Sequence, residues 1–120
     1  MHISYLPDLK RFEVWYAHLP EIPDSHVQQG ERPVIVVSND MANRYSPCIT
    51  VVPLTTAQKR PLPTHVPISG CGLPCMSQAL CEQILSLDKS RLTRRMGCIC
   101  CPETREALHT AMAIQLAMVA

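Results

Sequence analysis

The chain has 120 residues, with 11 basic and 10 acidic side chains and a formal net charge of +1. That length suits one domain with a single modest core. The near-neutral balance excludes both a surface basic enough to bind nucleic acid everywhere and an acidic tail. One Trp, one Phe and three Tyr leave the core largely aliphatic, while eleven prolines against four glycines favour short strands with stiff connections. The chain shows neither a secretory leader nor an apolar run of bilayer length, so the expected location is the cytoplasm. Seven cysteines, an odd number, then fit free thiols in a reducing compartment better than a disulfide framework.

Residues Met1 to Lys10 read as an N-terminal arm. Arg11 to Ala17 alternates and predicts a first strand with Phe12, Val14 and Tyr16 on one face. His18 to Glu31 is polar and aperiodic, a loop. Arg32 leads directly from it into Pro33-Val34-Ile35-Val36-Val37, an apolar, β-branched run expected to be a buried central strand. Asn39-Asp40 stops that strand and caps a helical turn through Ser46, closed by Pro47.

Cys48 to Leu54 is a third strand ending at Thr55-Thr56, followed by a polar loop, Ala57 to Pro63, that carries Lys59 and Arg60. Thr64 to Ile68 is a short strand that Pro67 assigns to an edge. Gly70 to Pro74 turns the chain, Ser77 to Leu87 is a further strand, and Asp88 caps a turn through Arg91 and Leu92. Pro102 opens a helix expected to run to Val119, with Glu103 and Glu106 at its positive end. Its wide apolar arc predicts packing on the domain with one side and on another subunit with the rest. Short, regularly spaced strands closed by one helix predict a mainly β domain, a small antiparallel barrel with the helix appended.

Six blocks, in order, carry a likeness to a known family. They are Glu13 to Ala17 with His26 to Asn39, Asn43-Arg44-Tyr45-Ser46-Pro47, Val52-Pro53-Leu54-Thr55, Leu62 to Val66, Cys81-Glu82-Gln83-Ile84, and Asp88-Lys89-Ser90-Arg91-Leu92. Together the chain resembles the MazF/PemK (Kid) toxin endoribonucleases over roughly residues 11–119. The resemblance implies one domain over residues 1–120, an SH3-like barrel of the MazF/Kid/CcdB kind, and a homodimer. It also implies metal-independent, sequence-specific cleavage of single-stranded RNA, chiefly mRNA, without a cofactor, and restraint by a cognate antitoxin protein. The family's phosphate-clamping arginine falls on Arg32 and its catalytic threonine on Thr55; the histidine and acidic residue of the Kid branch fall on His26 and Glu82.

Those residue types suit cleavage in which the RNA 2′-hydroxyl attacks the adjacent phosphorus, leaving a 2′,3′-cyclic phosphate and a 5′-hydroxyl. The protein must then move two protons and stabilise an anionic pentavalent phosphorus. A guanidinium forks onto two phosphate oxygens and stays charged, and a hydroxyl donates to the same oxygens. Imidazole, changing charge near neutral pH, makes His26 the natural shuttle. Glu82 is expected as the base or as a brace for Arg32. Bases of a single strand are read by stacking and splayed-edge hydrogen bonds, for which Gln28, Gln29, Gly30, Asn43, His65, Ser77 and Gln83 are candidates. Lys59, Arg60 and Arg91 are candidates for the phosphates.

Each residue also has a plainer reading. Arg32 alone would be a surface partner of Glu31 or Asp40, Thr55 an ordinary strand-end hydroxyl, His26 solvated, and His65 packed on the barrel. Cys71 and Cys75, with Cys98, Cys100 and Cys101, form an irregular version of paired metal ligands; free thiols and no metal are expected. Three positions depart from the family pattern: Phe12 where Gly usually follows the first arginine, Val27 for a common Glu, and Leu85 for a common Arg. The rival reading is a non-cleaving toxin of the same fold that binds a protein, as CcdB toxins do; a thiol or metal module is more remote.

Overall fold

The computed structural model describes residues 8–118. Its elements are β1 (Glu13–Leu19), β2 (Gly30–Val36), α1 (Asp40–Tyr45), β3 (Cys48–Thr55), β4 (His65–Ile68), β5 (Ser77–Leu80), β6 (Leu85–Asp88), β7 (Leu92–Cys98) and α2 (Pro102–Gln115). All strand pairs are antiparallel, in the order β4-β5-β3-β2-β1-β7, with β6 also on β3. The expected barrel is therefore a curled sheet that does not close, with β4 and β7 as its ends. Pro67 does lie on the edge strand β4. No helix among the described residues is long and apolar enough to cross a membrane. Residues 1–7 of the expected arm lie outside the described residues, as does Val119; Leu9 is buried in the core.

β2 is the spine because alternate residues serve opposite faces. Ile35 and Val37 enter a core with Val52, Leu54, Ile99 and the buried stripe Leu108, Ala111 and Met112 of α2. Val34 and Val36 enter a second core with Leu19, Ile49, Val51 and Leu92. In β1, Val14 serves the first core and Ala17 and Leu19 the second. The change of parity coincides with register shifts against β7 at Val14/Trp15 and Tyr16/Ala17. Tyr16 consequently does not join Phe12 and Val14 in the first core.

Three boundaries differ from expectation. β1 runs on to Leu19, paired with Gly30, which shortens the loop to residues 20–29. The strand expected over Ser77 to Leu87 is two strands. Leu54 pairs with Ala79 and Val51 with Leu85, so the register slips by three residues, which the 3-10 turn Cys81–Gln83 takes up. β7 was not expected at all. α2 ends at Gln115 rather than Val119; it buries Leu108, Ala111 and Met112 and leaves Ile114, Leu116 and Met118 exposed.

Phe12 shows why a glycine would suit its position. Its φ is +71°, a left-handed conformation that costs a side chain about 1–2 kcal/mol. The ring is buried in compensation, 4.6 Å from the Arg11 guanidinium and 4.8 Å from that of Arg105.

Candidate active site

Two prolines open the site. Pairing of β2 with β3 begins at Val34, opposite Pro53, directly after Pro33, which has no N–H to give. Below that point the strands part. Continuing their register two residues places Arg32 across from Thr55, and both line one cleft of about 480 Å³. The other walls are Tyr16, the turn Gly72–Pro74, Ser77, and Arg94 and Met96 of β7.

Arg32 is exposed, and its Nε donates to the Gln29 carbonyl at 3.1 Å. Among the described residues no carboxylate pairs with it. Glu31 instead meets His18 Nδ1 at 2.9 Å, and Asp40 accepts the Arg11 N–H at 2.7 Å and the Asn43 amide at 3.1 Å. The backbone N–H of Arg11, then the Asn43 amide and nearby cations, outweigh desolvation and hold the Asp40 carboxyl below its ordinary range. Thr55 is 5% exposed, and its Oγ1 accepts the Ala57 N–H at 3.1 Å, which leaves the hydroxyl proton to donate. One forked cation, held only through its Nε, and one hydroxyl donor therefore line the same cleft, the two terminal guanidinium nitrogens and the hydroxyl proton without an acceptor among the described residues. Arg94 adds a second guanidinium, 5.6 Å from the Tyr16 ring centre.

Residues 10–116 match the PemK-like, MazF-like toxins of type II toxin–antitoxin systems. The chain is 39% identical over 114 residues to the endoribonuclease EndoA of Bacillus subtilis, covering 92% of this chain and 97% of that one. It is 40% identical over 91 residues to the endoribonuclease MazF of Staphylococcus saprophyticus, covering 73% and 75%. Its fold superposes with a TM-score of 0.75 on an endoribonuclease solved with its cognate antitoxin from a mycobacterial species. That match has 26% identity and covers 93% of this chain and 98% of that one. The chain belongs to the PemK-like, MazF-like toxins.

The toxin's other candidate residues fall into three groups. Ser77 lines the main cleft, its Oγ donating to the Cys75 carbonyl at 3.2 Å, and Lys59 lines a cleft of about 280 Å³ that shares Thr55 and Ser77. A second group surrounds a separate cleft of about 250 Å³ that includes Gln28, Pro53, Glu82 and Gln83. There Glu82 accepts from Thr64 Oγ1 at 3.0 Å and meets His65 Nε2 at 2.8 Å. Burial would raise the Glu82 carboxyl, but hydrogen bonds from His65, its own backbone N–H and Thr64 hold it below its ordinary range. The His65 ring is 6% exposed, and its Nδ1 has no partner among the described residues. Gln83 Oε1 accepts the Gln28 N–H at 2.7 Å, and the Gln29 amide closes onto both backbone groups of Ile22 at 2.7 and 3.0 Å.

The third group stands apart. His26, Arg60 and Arg91 are exposed and line none of these clefts. Gly30, with φ +74°, starts β2. Asn43 was expected to read bases; instead it is fully buried, its amide donating to the Ser38 carbonyl and Asp40 while its oxygen accepts from Ser38 Oγ. Every polar group on it is engaged in fixing α1, which removes it from the surface.

Glu31, His18 and Arg94 were not among the expected site residues. Glu31 and Arg94 line the main cleft, and His18 is held by Glu31. Glu31 was legible as the neighbour of Arg32. Arg94 needed β7, whose Thr93-Arg94-Arg95 run hides the alternation of an edge strand.

Proposed function

We propose that this toxin is a metal-independent endoribonuclease of single-stranded RNA, working in the cytoplasm on mRNA at short sequences through attack of the 2′-hydroxyl on the neighbouring phosphorus. The observation that carries the reading is that Arg32 and Thr55 line one cleft, Arg32 with its two terminal nitrogens and Thr55 with its hydroxyl proton left to donate. Arg32 forks onto two non-bridging oxygens and Thr55 donates to one, so negative charge developing on phosphorus meets donors already in place. Arg94 lies beside them to take the flanking phosphate. Glu31 at the cleft wall receives the 2′-hydroxyl proton, with His18 behind it to compensate the charge. His26 is exposed on the loop leading to Arg32 and lines none of the clefts; as the histidine that the family resemblance places in the reaction, it is the candidate proton shuttle. Glu82 acts from the neighbouring cleft as a positioning residue, steadying His65 while adjacent Gln83 steadies the loop.

The donor set supports chemistry driven by cations. The main cleft presents two guanidiniums and one carboxylate, the reverse of what binding two hard divalent ions requires. The exposed Ile114, Leu116 and Met118 lie on or beside a groove of about 860 Å³ along α2 and support pairing with a second copy of the chain. A cognate antitoxin would restrain the dimer by covering the RNA clefts.

The test is incubation with a long single-stranded RNA in excess EDTA, followed by analysis of both new ends. Cyclic 2′,3′-phosphate and 5′-hydroxyl termini are expected at an undiminished rate. Termini bearing a 5′-phosphate, or cutting only after metal is restored, would overturn the mechanism.

A further inference from the structure

The toxin's cysteines occupy contrasting surroundings. Cys81 is sealed in the core, where burial and then the Glu82 charge push its thiol up to about 12, an inert packing group. Cys98 and Cys100 are partly and fully exposed, and they flank Ile99, which is completely buried. Residues two apart in extended chain share a face, so seating Ile99 in the core turns both thiols the other way. The Ile99 N–H donates to the Phe12 carbonyl at 2.8 Å, which pins that orientation.

At the end of β7 the two sulfur atoms come to 2.6 Å. Two arginines flank the pair. Arg105 Nε donates to the Ile99 carbonyl at 2.6 Å, between the two thiols; the Cys98 contact and desolvation hold the Cys100 thiol above its ordinary range, and the Arg105 charge opposes them only in part. Arg95, anchored on Glu13 Oε2 at 3.0 Å, lies near enough to Cys98 for the two to interact electrostatically. The thiolate of either residue is the form that attacks a disulfide.

We propose that Cys98 and Cys100 are a reversible dithiol–disulfide site that takes a low-molecular-weight disulfide, such as oxidised glutathione, as its oxidant. One thiolate attacks the small disulfide, forming a mixed disulfide and releasing one small thiol. The second attacks the protein sulfur of that mixed disulfide and releases the other. Two electrons and two protons leave the protein, and one small disulfide becomes two small thiols. Closing the bond requires the sulfur atoms to approach by about half an ångström, to the bonded length near ~2.05 Å.

The pair ends the strand that walls the cleft. Arg94 and Met96 of β7 line it from one side, and Gly72 to Pro74 from another. Those two walls meet by backbone: a Cβ on Gly72 (φ +83°) would run into the Met96 carbonyl, and one on Gly97 into that of Cys71. Oxidation next to Gly97 therefore acts on the seam of the cleft. Cys71 and Cys101 are the competing partners for Cys98, since their charges interact with it or with one another.

The test equilibrates the full chain in mixtures of reduced and oxidised glutathione, blocks the remaining thiols, and reads intact mass and tryptic peptides. A loss of two hydrogens is expected, located within the peptide Met96 to Arg105 and reversed by a dithiol reductant. Cys98→Ser and Cys100→Ser each abolish the loss, whereas Cys71→Ser and Cys101→Ser retain it. A bond through Cys71 or Cys101, a lasting glutathione adduct, or full alkylation of all thiols at every ratio would overturn the proposal. The readout is mass, so it stands or fails apart from RNA cleavage.

Discussion

Two clefts adjoin the loop of residues 20–29, and they use their polar groups in opposite ways. At the Arg32 cleft the guanidinium is anchored through one nitrogen and the Thr55 hydroxyl accepts without donating, so both remain open to an incoming anion. At the Glu82 cleft the carboxylate is met by Thr64 and His65, and Gln83 holds the backbone of Gln28. The same residue types that promise chemistry in a sequence thus divide into a site with unused capacity and a network that is largely saturated. Saturated groups hold a fold together, and unsaturated ones at a rigid strand end are free to bind.

The largest effect separating the two clefts is expected from Arg32→Ala. Cleavage of single-stranded RNA should fall by on the order of 10²–10³-fold or more, as for removal of a preorganised oxyanion donor. Unfolding by denaturant should shift by no more than about 0.5 kcal/mol, because the side chain is exposed and pairs with no described carboxylate. Thr55→Ser should keep most of the rate and Thr55→Val should lose it. An Arg32→Ala protein that still cuts would erase the distinction between the clefts.

A pair of isosteric changes sharpens the contrast. Glu31→Gln should slow cleavage by about 10²-fold with little change in stability, since it faces the cleft and its His18 contact is exposed. Glu82→Gln should do the reverse, lowering stability by on the order of 1–3 kcal/mol at neutral pH with a modest change in rate. The pH dependence has a definite sign. The Glu82 carboxyl is held below its ordinary range in the folded chain, so the unfolded chain takes up the proton first on acidification. Its contribution is complete above the ordinary carboxylate range and disappears as pH falls through the lower folded value. Denaturation curves for the native and Glu82→Gln chains should therefore draw together as pH falls below the ordinary carboxylate range. Equal separation at pH 7 and pH 3 would remove Glu82 from the stabilising network.

Much of this was legible in the residues. The apolar run after Arg32 specified β2, Asn39 specified the cap of α1, and Pro102 specified the start of α2, because each local signal agreed with its surroundings. The departure at Phe12 was legible too, since a position that favours glycine has a left-handed backbone. What escaped were features set by partners distant in sequence. β7 is defined by pairing with β1 rather than by its own pattern, and the split of β5 from β6 follows from two registers against one strand. Asn43 read as a binding group, and Glu82 as the base or a brace for Arg32, because their partners, Ser38 and Asp40 for one, Thr64 and His65 for the other, are recruited by the fold. Even Glu13, inside the Glu13 to Ala17 block, is a buried carboxylate fixed by Lys10, Trp15 and Arg95.

The smallest effect tests how far the open cleft extends. Lys59 lines the shallow cleft that continues from Thr55 and Ser77, whereas Arg60, next to it on the same loop, lines none of the clefts described above. Each phosphate contact on a single strand contributes roughly 0.7 to the slope of log affinity against log salt. Lys59→Ala should therefore flatten that slope by about 0.7 for an uncleavable RNA analogue, and Arg60→Ala should leave it nearly unchanged. Neither change should alter the rate at saturating RNA, because neither group lines the Arg32 cleft. Equal flattening by both would mean that the loop meets RNA as a diffuse positive surface. A change confined to Lys59 would trace the strand's path from the reacting phosphate along β3.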